Sequence, residues 1–213
     1  MRIIPFEQRS PEWFAARLGI PTASNFAKLI ASTGKPSTSA DGYINELIAE
    51  RITGIRQEIK VSEAMQRGTD MEPEAKSFFE LVTGLTVVDA PLCLHDTLDA
   101  GASPDGFMLD NLILEIKCPS AHTHVEYLRG GKLPAKYIPQ VQGQLWITGR
   151  ESCHFLSYHP DFKPLLVGGD RAHDVEVDAT HELLVGRLRH RLDVVLGVVG
   201  GDERVDLLRR LHR

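Results

Sequence analysis

Three residues of this chain have types and spacing that fit a reaction: Asp105, Glu115 ten positions on, and Lys117. Two carboxylates that meet can hold a hard divalent cation, which polarises a phosphate and lowers the pKa of bound water. A lysine beside them can orient or deprotonate the nucleophile. The chemistry indicated is metal-assisted phosphodiester hydrolysis. The carbonyl of Ile116 can add an oxygen ligand, and a second cation held by Glu72 would stabilise the leaving oxygen.

The pair of acids needs a hairpin. Phe107-Met108-Leu109 precedes the turn signal Asp110-Asn111, and Leu112-Ile113-Leu114 follows it. Residues two apart on a strand share a face, so Glu115 and Lys117 project together while Ile116 points into the core. With a two-residue loop Gly106 would face Glu115 and Asp105 would lie on the wrong side of the sheet. A three-residue loop, Leu109 to Asn111, instead sets Asp105 opposite Glu115, Cβ atoms roughly 4.5–5.5 Å apart, with Asn111 in the left-handed conformation.

Other elements must bring the remaining polar groups. Ser10-Pro11-Glu12 opens a helix that Gly19 ends, and Thr22 caps a second one over Ala23 to Ile30. Arg17 and Ser24 bracket the connection RLGIPTAS. They read either as a surface arginine and a first-turn serine, or as an anion pocket where guanidinium, hydroxyl and free helix N–H groups converge. Ser62 to Thr83 forms a long helix ended by Gly84, which Pro73 should bend or divide. Asp70, Glu72 and Glu74 would make a solvated face of it, except that Glu72 stands beside the proline and can reach the metal site. Gln140 and Gln144 share a face of the helix Ala135 to Thr148, with Gln142 directed elsewhere. Gln140 can serve a substrate phosphate or an attacking water, or stand as a solvent-facing amide. His122 and His124, two apart on a helix, diverge by about 200° and read as surface residues. Strands are expected at Leu85 to Val88, Leu92 to Leu94, Cys153 to Tyr158, near Leu165 to Val167 and at Val175 to Val177. A basic helical segment follows at about 179–213, carrying Arg187, Arg189, Arg191, Arg204, Arg209, Arg210 and Arg213.

The 213 residues suffice for one α/β domain, and a formal net charge of −5 excludes a protein that coats itself in nucleic acid through a global positive field. A local basic groove remains open. Cys93, Cys118 and Cys153 are too far apart for a disulfide framework or a cysteine cluster and read as buried thiols. No apolar run approaches about 18 residues and MRIIPFEQ lacks a signal-like core, so a cytoplasmic protein without membrane contact is expected.

Pro104 before Asp105, giving SPDG, and the lysine after a buried run match the PD-(D/E)xK nuclease pattern. RLGIPTAS, RGTDMEPEAKSFFE, ASPDGFMLDNLILEIKCP and YIPQVQGQLW occur in the order of the motifs of the lambda exonuclease (YqaJ-type viral recombinase) branch, and the resemblance spans Trp13 to about Tyr158. It implies a restriction-endonuclease-like fold, a mixed central sheet flanked by helices. It also implies a 5′-to-3′ exonuclease that digests one strand of linear double-stranded DNA for a single-strand annealing protein. By motif, Asp105, Glu115 and the Ile116 carbonyl would bind Mg²⁺, two ions with Mn²⁺ able to substitute; Lys117 would serve the nucleophile and Glu72 would be the further acid. Arg17, Ser24, Ser103 and Gln140 would receive the 5′-terminal phosphate. A ring-shaped homotrimer threading DNA is also implied. The rival readings are another nuclease of the superfamily, such as a restriction-type endonuclease, and a silent DNA-end binding module that would have no need of all three of Asp105, Glu115 and Lys117. A CRISPR-associated exonuclease would bring an iron–sulfur cysteine cluster, which these cysteines do not form.

Overall fold

Alternation along Leu112–Lys117 decides which helix covers which face of the main sheet. Leu114 and Ile116 join one buried cluster with Ala75, Phe79, Met108 and Leu156. Ile113, on the opposite face, packs with Val141, Leu145 and Cys153. The long helix carrying Ala75 therefore covers one side and the glutamine helix the other. Glu115, in phase with Ile113, is directed at the glutamines.

The computed structural model describes residues 1–57, 61–109, 111–168 and the backbone of 175–176; the expected C-terminal helices and their arginines, and the turn residue Asp110, lie outside these. Strands β1 (Arg2–Ile4), β2 (Leu92–Leu94) and β3 (Gly101–Ala102) form an antiparallel sheet in that order. The larger sheet runs β4 (Gly106–Phe107), β5 (Leu112–Lys117), β6 (Ser152–Ser157) and β7 (Leu165–Val167), with β8 (Val175–Glu176) also on β6. Among the described strands only β5 and β6 pair in parallel. Parallel neighbours need a long crossover, and helices α5 and α6 below supply it.

Six helices complete the described architecture: α1 (Pro11–Ala16), α2 (Phe26–Leu29), α3 (Ala40–Thr53), α4 (Glu63–Thr83), α5 (Ala121–Gly130) and α6 (Ile138–Thr148). Ser10 caps α1, its Oγ accepting from the Trp13 N–H at 3.1 Å, and Ser62 caps α4 in the same way. α6 packs against α2 so closely that a Cβ at Gly143 would lie 2.2 Å from the Phe26 ring. Among the described residues no helix is long and apolar enough to cross a membrane.

Several expectations are corrected. Pro73 does not divide α4, which runs unbroken for 21 residues; one lost N–H bond is outweighed where the fully buried Ala75 and Phe79 anchor the next turn. Leu85 to Val88 is no strand beyond a single bridge from Val88 to Phe107. The side chains of α4 take its donors, Thr83 accepting from the Leu85 N–H and Glu80 from the Val87 N–H. α1 stops at Ala16, short of Gly19. The second helix begins as a 3₁₀ turn over Ala23–Asn25 and is only four residues of α-helix. His124 is fully buried, Nδ1 2.8 Å from Ser157 Oγ and Nε2 2.9 Å from the Lys163 carbonyl. The two-residue spacing separates His124 from His122 correctly but cannot say which of them meets the sheet.

Candidate functional site

The hairpin adopts the three-residue loop. Gly106 pairs with Leu114 and Phe107 with Ile113, the register that sets Asp105 against Glu115, and Asn111 has φ 64°. At Asp105 the strand leaves the ladder: its N–H donates to the Leu114 carbonyl at 3.0 Å, and its Oδ2 accepts from the Ile116 N–H at 2.5 Å. On a strand, a residue's N–H and C=O point to the same side. The Leu112 and Leu114 carbonyls accept from the Met108 and Asp105 N–H groups at either end of β4, whereas that of Lys117 accepts from the Tyr158 N–H beyond β6. The Ile116 carbonyl thus faces the edge where β4 has ended, beside Asp105.

Glu115 is 1% exposed and is held from three directions. Gln140 Nε2 donates to Oε1 at 2.5 Å, Gln144 Nε2 to Oε2 at 2.7 Å, and the Lys117 ammonium pairs with Oε1. Lys117 also stands 5.3 Å from the centre of the Tyr137 ring. Burial pushes the Asp105 carboxyl well above the usual aspartate range, and the Glu115 charge pushes it further. For Lys117, burial pulls downward, but Glu115 and Asp105 more than offset it and hold the ammonium above an ordinary lysine. A buried glutamate and a half-buried aspartate stand against one half-buried ammonium, and the excess of acid over base is the charge a divalent ion would neutralise.

Glu72 sits on the rim. It lines a cleft of about 460 Å³ together with Asp105, but its Oε2 is paired with Arg9 Nη2 at 3.0 Å. Its neighbours on α4 are engaged elsewhere, Glu74 with the Tyr158 hydroxyl and Asp70 with Gln66. Among the described residues no three His, Cys, Asp or Glu side chains gather to hold a metal. The oxygens gathered at the end of β5 are those of Asp105, Glu115 and the Ile116 carbonyl, and Glu72 lines the same cleft as Asp105.

The anion-pocket residues form a second group. Arg17 lies 3.8 Å over the Trp13 ring and donates from Nη2 to Thr22 Oγ1 at 3.2 Å; Thr22 Oγ1 is 3.3 Å from Ser24 Oγ. The Thr22 side chain makes no capping bond, because the Arg17 guanidinium claims the hydroxyl. A bridge between Thr22 and Gly101 lays this segment along the strand that leads to Ser103 and Asp105. Ser103 Oγ is buried with no hydrogen-bond partner among the described residues, so a ligand acceptor would satisfy it. Gln140 is placed apart from these, on Glu115. Gln144 and Thr22 were given no site role from sequence; the four-residue spacing of Gln144 from Gln140 was the available signal for the first.

The model of the YqaJ-like viral recombinase domain matches residues 12–151. Among solved structures, the alkaline exonuclease (LHK-Exo) from Laribacter hongkongensis shares 34% identity over 95% of this chain and 98% of its own, with a TM-score of 0.80. The same enzyme in complex with dAMP gives 35% identity, the same coverages and a TM-score of 0.79. A phage-related exonuclease from Haemophilus somnus 129PT, 15% identical over 85% of this chain and 96% of its own with a TM-score of 0.57, shares the fold. No curated protein matches. The mixed sheet with helices on both faces and its acid-bearing hairpin have the PD-(D/E)xK architecture, and the chain belongs to the YqaJ-like viral recombinase family.

Proposed function

We propose that the protein is a metal-dependent 5′-to-3′ exonuclease that digests one strand of linear double-stranded DNA and leaves a 3′ single strand for recombination. The observation that carries this reading is the convergence of Asp105, Glu115 and Lys117 at the end of β5, with Asp105 fixed on the Ile116 N–H. The alkaline exonuclease from Laribacter hongkongensis, 34% identical, supports it.

Asp105, Glu115 and the Ile116 carbonyl would hold Mg²⁺, or Mn²⁺ in its place, and Glu72 would serve a second ion. When bound, the metal supplies Lewis-acid polarisation of the phosphate and a more acidic water. Lys117, anchored on Glu115, orients the nucleophile. Gln140 and Gln144 fix the Glu115 rotamer through one amide per carboxylate oxygen. Arg17, Ser24 and Ser103 would receive the 5′-terminal phosphate, with Gln140 reaching the scissile side. A homotrimeric ring around the DNA and hand-over to a single-strand annealing protein complete the proposal.

A linear duplex with a 5′-phosphate on one strand only provides the test. In Mg²⁺ the phosphorylated strand should disappear first while its complement survives; EDTA should stop digestion and closed circles should persist. Cutting of closed circles, or first loss of the strand with the 5′-hydroxyl, would sink the assignment. Partners that orient ligating carboxylates typically contribute 10- to 100-fold, so Gln144→Ala should lose roughly that factor in rate at limiting Mg²⁺ and recover as Mg²⁺ is raised. A loss that excess Mg²⁺ does not relieve would mean that Gln144 acts otherwise than on metal affinity.

A further inference from the structure

Glu72 is held by an arginine whose backbone is unusual. The Ser10 N–H donates to the Glu7 carbonyl at 3.1 Å, closing a four-residue turn whose second central residue, Arg9, has φ 70°. That position of such a turn ordinarily takes glycine or asparagine. A bulky residue keeps a left-handed conformation only where its surroundings over-determine it. Gln8 does so, its Nε2 donating to the Ala90 carbonyl at 3.2 Å and to the Pro104 carbonyl at 3.3 Å. Pro104 directly precedes Asp105. The turn is thus pinned to the strand of the principal metal acid, and it lines the same cleft as Asp105 and Glu72. Across that cleft Arg9 Nη2 meets Glu72 Oε2 at 3.0 Å. A guanidinium thus stands on Glu72, at a cleft that Asp105 also lines.

We propose that Arg9 is a positioning residue of the metal site: it holds and neutralises Glu72 in the metal-free protein and yields that carboxylate when a divalent cation binds. The proposal rests on reading the cleft acids as a cation site. The Arg9 side chain is 51% exposed, so the pair is solvent-screened and exchange is easy. An exposed pair of this kind corresponds to about a twofold to fivefold effect on cation affinity.

Calorimetric titration of Ca²⁺ into the DNA-free full-length protein tests this. Arg9→Gly suits the turn, so the fold is retained, and Ca²⁺ binding should tighten about twofold to fivefold. Arg9→Lys, which restores the charge, should return it toward the wild-type value. In a Glu72→Gln background, Arg9→Gly should change nothing, because the contested carboxylate is gone. Unchanged or weaker binding in Arg9→Gly would overturn the proposal, as would a tightening that persists in Glu72→Gln, which would be an effect of net charge alone. A wild-type protein that binds no Ca²⁺ would overturn the cation site and the role of Arg9 together. Wild-type binding that is lost in Asp105→Asn but indifferent to Arg9 would overturn Arg9 only.

Discussion

Asp105→Asn should reduce digestion of linear duplex DNA at least ~10³-fold, about 4 kcal/mol of barrier, while leaving the metal-free protein no less stable than the wild type. The two halves of this result have one cause. Asp105 is half-buried beside Glu115, and its carboxyl is pushed well above the usual range by desolvation first and by the Glu115 charge second, with Glu72 adding in the same direction and Lys117 opposing. An acid whose folded pKa is raised binds its proton more readily in the native state than in the unfolded chain. Stability is therefore lost as pH rises from the ordinary aspartate range toward the folded value, and a cation bound at the carboxylates would restore it. Asparagine removes the charge and keeps an oxygen for the Ile116 N–H. Melting curves in EDTA should accordingly fall with rising pH for the wild type and less for the variant. Added Mg²⁺ should raise the wild-type melting temperature more at pH 8 than at pH 6. Near-wild-type digestion by Asp105→Asn, or a melting temperature of the wild type that is indifferent to Mg²⁺, would defeat the metal assignment.

The hairpin was legible because its constraints are local. Period-two alternation put Glu115 and Lys117 on one face, and the choice between a two- and a three-residue loop left one register that joined Asp105 to Glu115; Asn111 at φ 64° is the residue that permits it. The surroundings of Glu115 were not legible in the same way. Gln140 and Gln144 were recognisable as a pair on one helical face, but only the crossover between β5 and β6 determines that this face lies over Glu115 rather than over solvent. His124 failed for the same reason, since its burial against Ser157 is a property of how α5 docks. Arg9 could not be found from sequence at all. A long polar residue at a glycine-favouring turn position is visible only once the turn is seen, and its partner Glu72 lies 63 residues away.

Arg17→Ala should abolish discrimination between 5′-phosphorylated and 5′-hydroxyl ends, lowering the rate on phosphorylated ends by roughly 10- to 100-fold with little change on hydroxyl ends. The electrostatics of its cavity argue for an anion. Arg17, Lys28 and Arg56 line a space of about 230 Å³ with Glu46 and Glu50. Glu46 is paired with Lys28 at 3.2 Å, and Glu50 is occupied by the backbone N–H groups of Gly19 and Gln57. Neither Arg17 nor Arg56 makes an ion pair among the described residues; each lies instead over an aromatic ring, Trp13 and Phe14. Burial lowers Arg17 to about 10, with Arg56 acting in the same direction and Tyr43 opposing, so the guanidinium remains charged at neutral pH in a place where a second positive charge is unfavourable. A dianionic phosphate bound beside Arg17 and Thr22 would relieve that repulsion. Because alanine also removes the stacking on Trp13 and the bond to Thr22, Arg17→Lys is the control: it keeps the charge but not the planar fork, and should retain partial discrimination. Competition between the two ends in a single reaction, read as the ratio of initial rates, isolates the effect from any loss of folded protein. Equal losses on both ends in Arg17→Ala would assign the residue to the packing of α1 instead of to the phosphate.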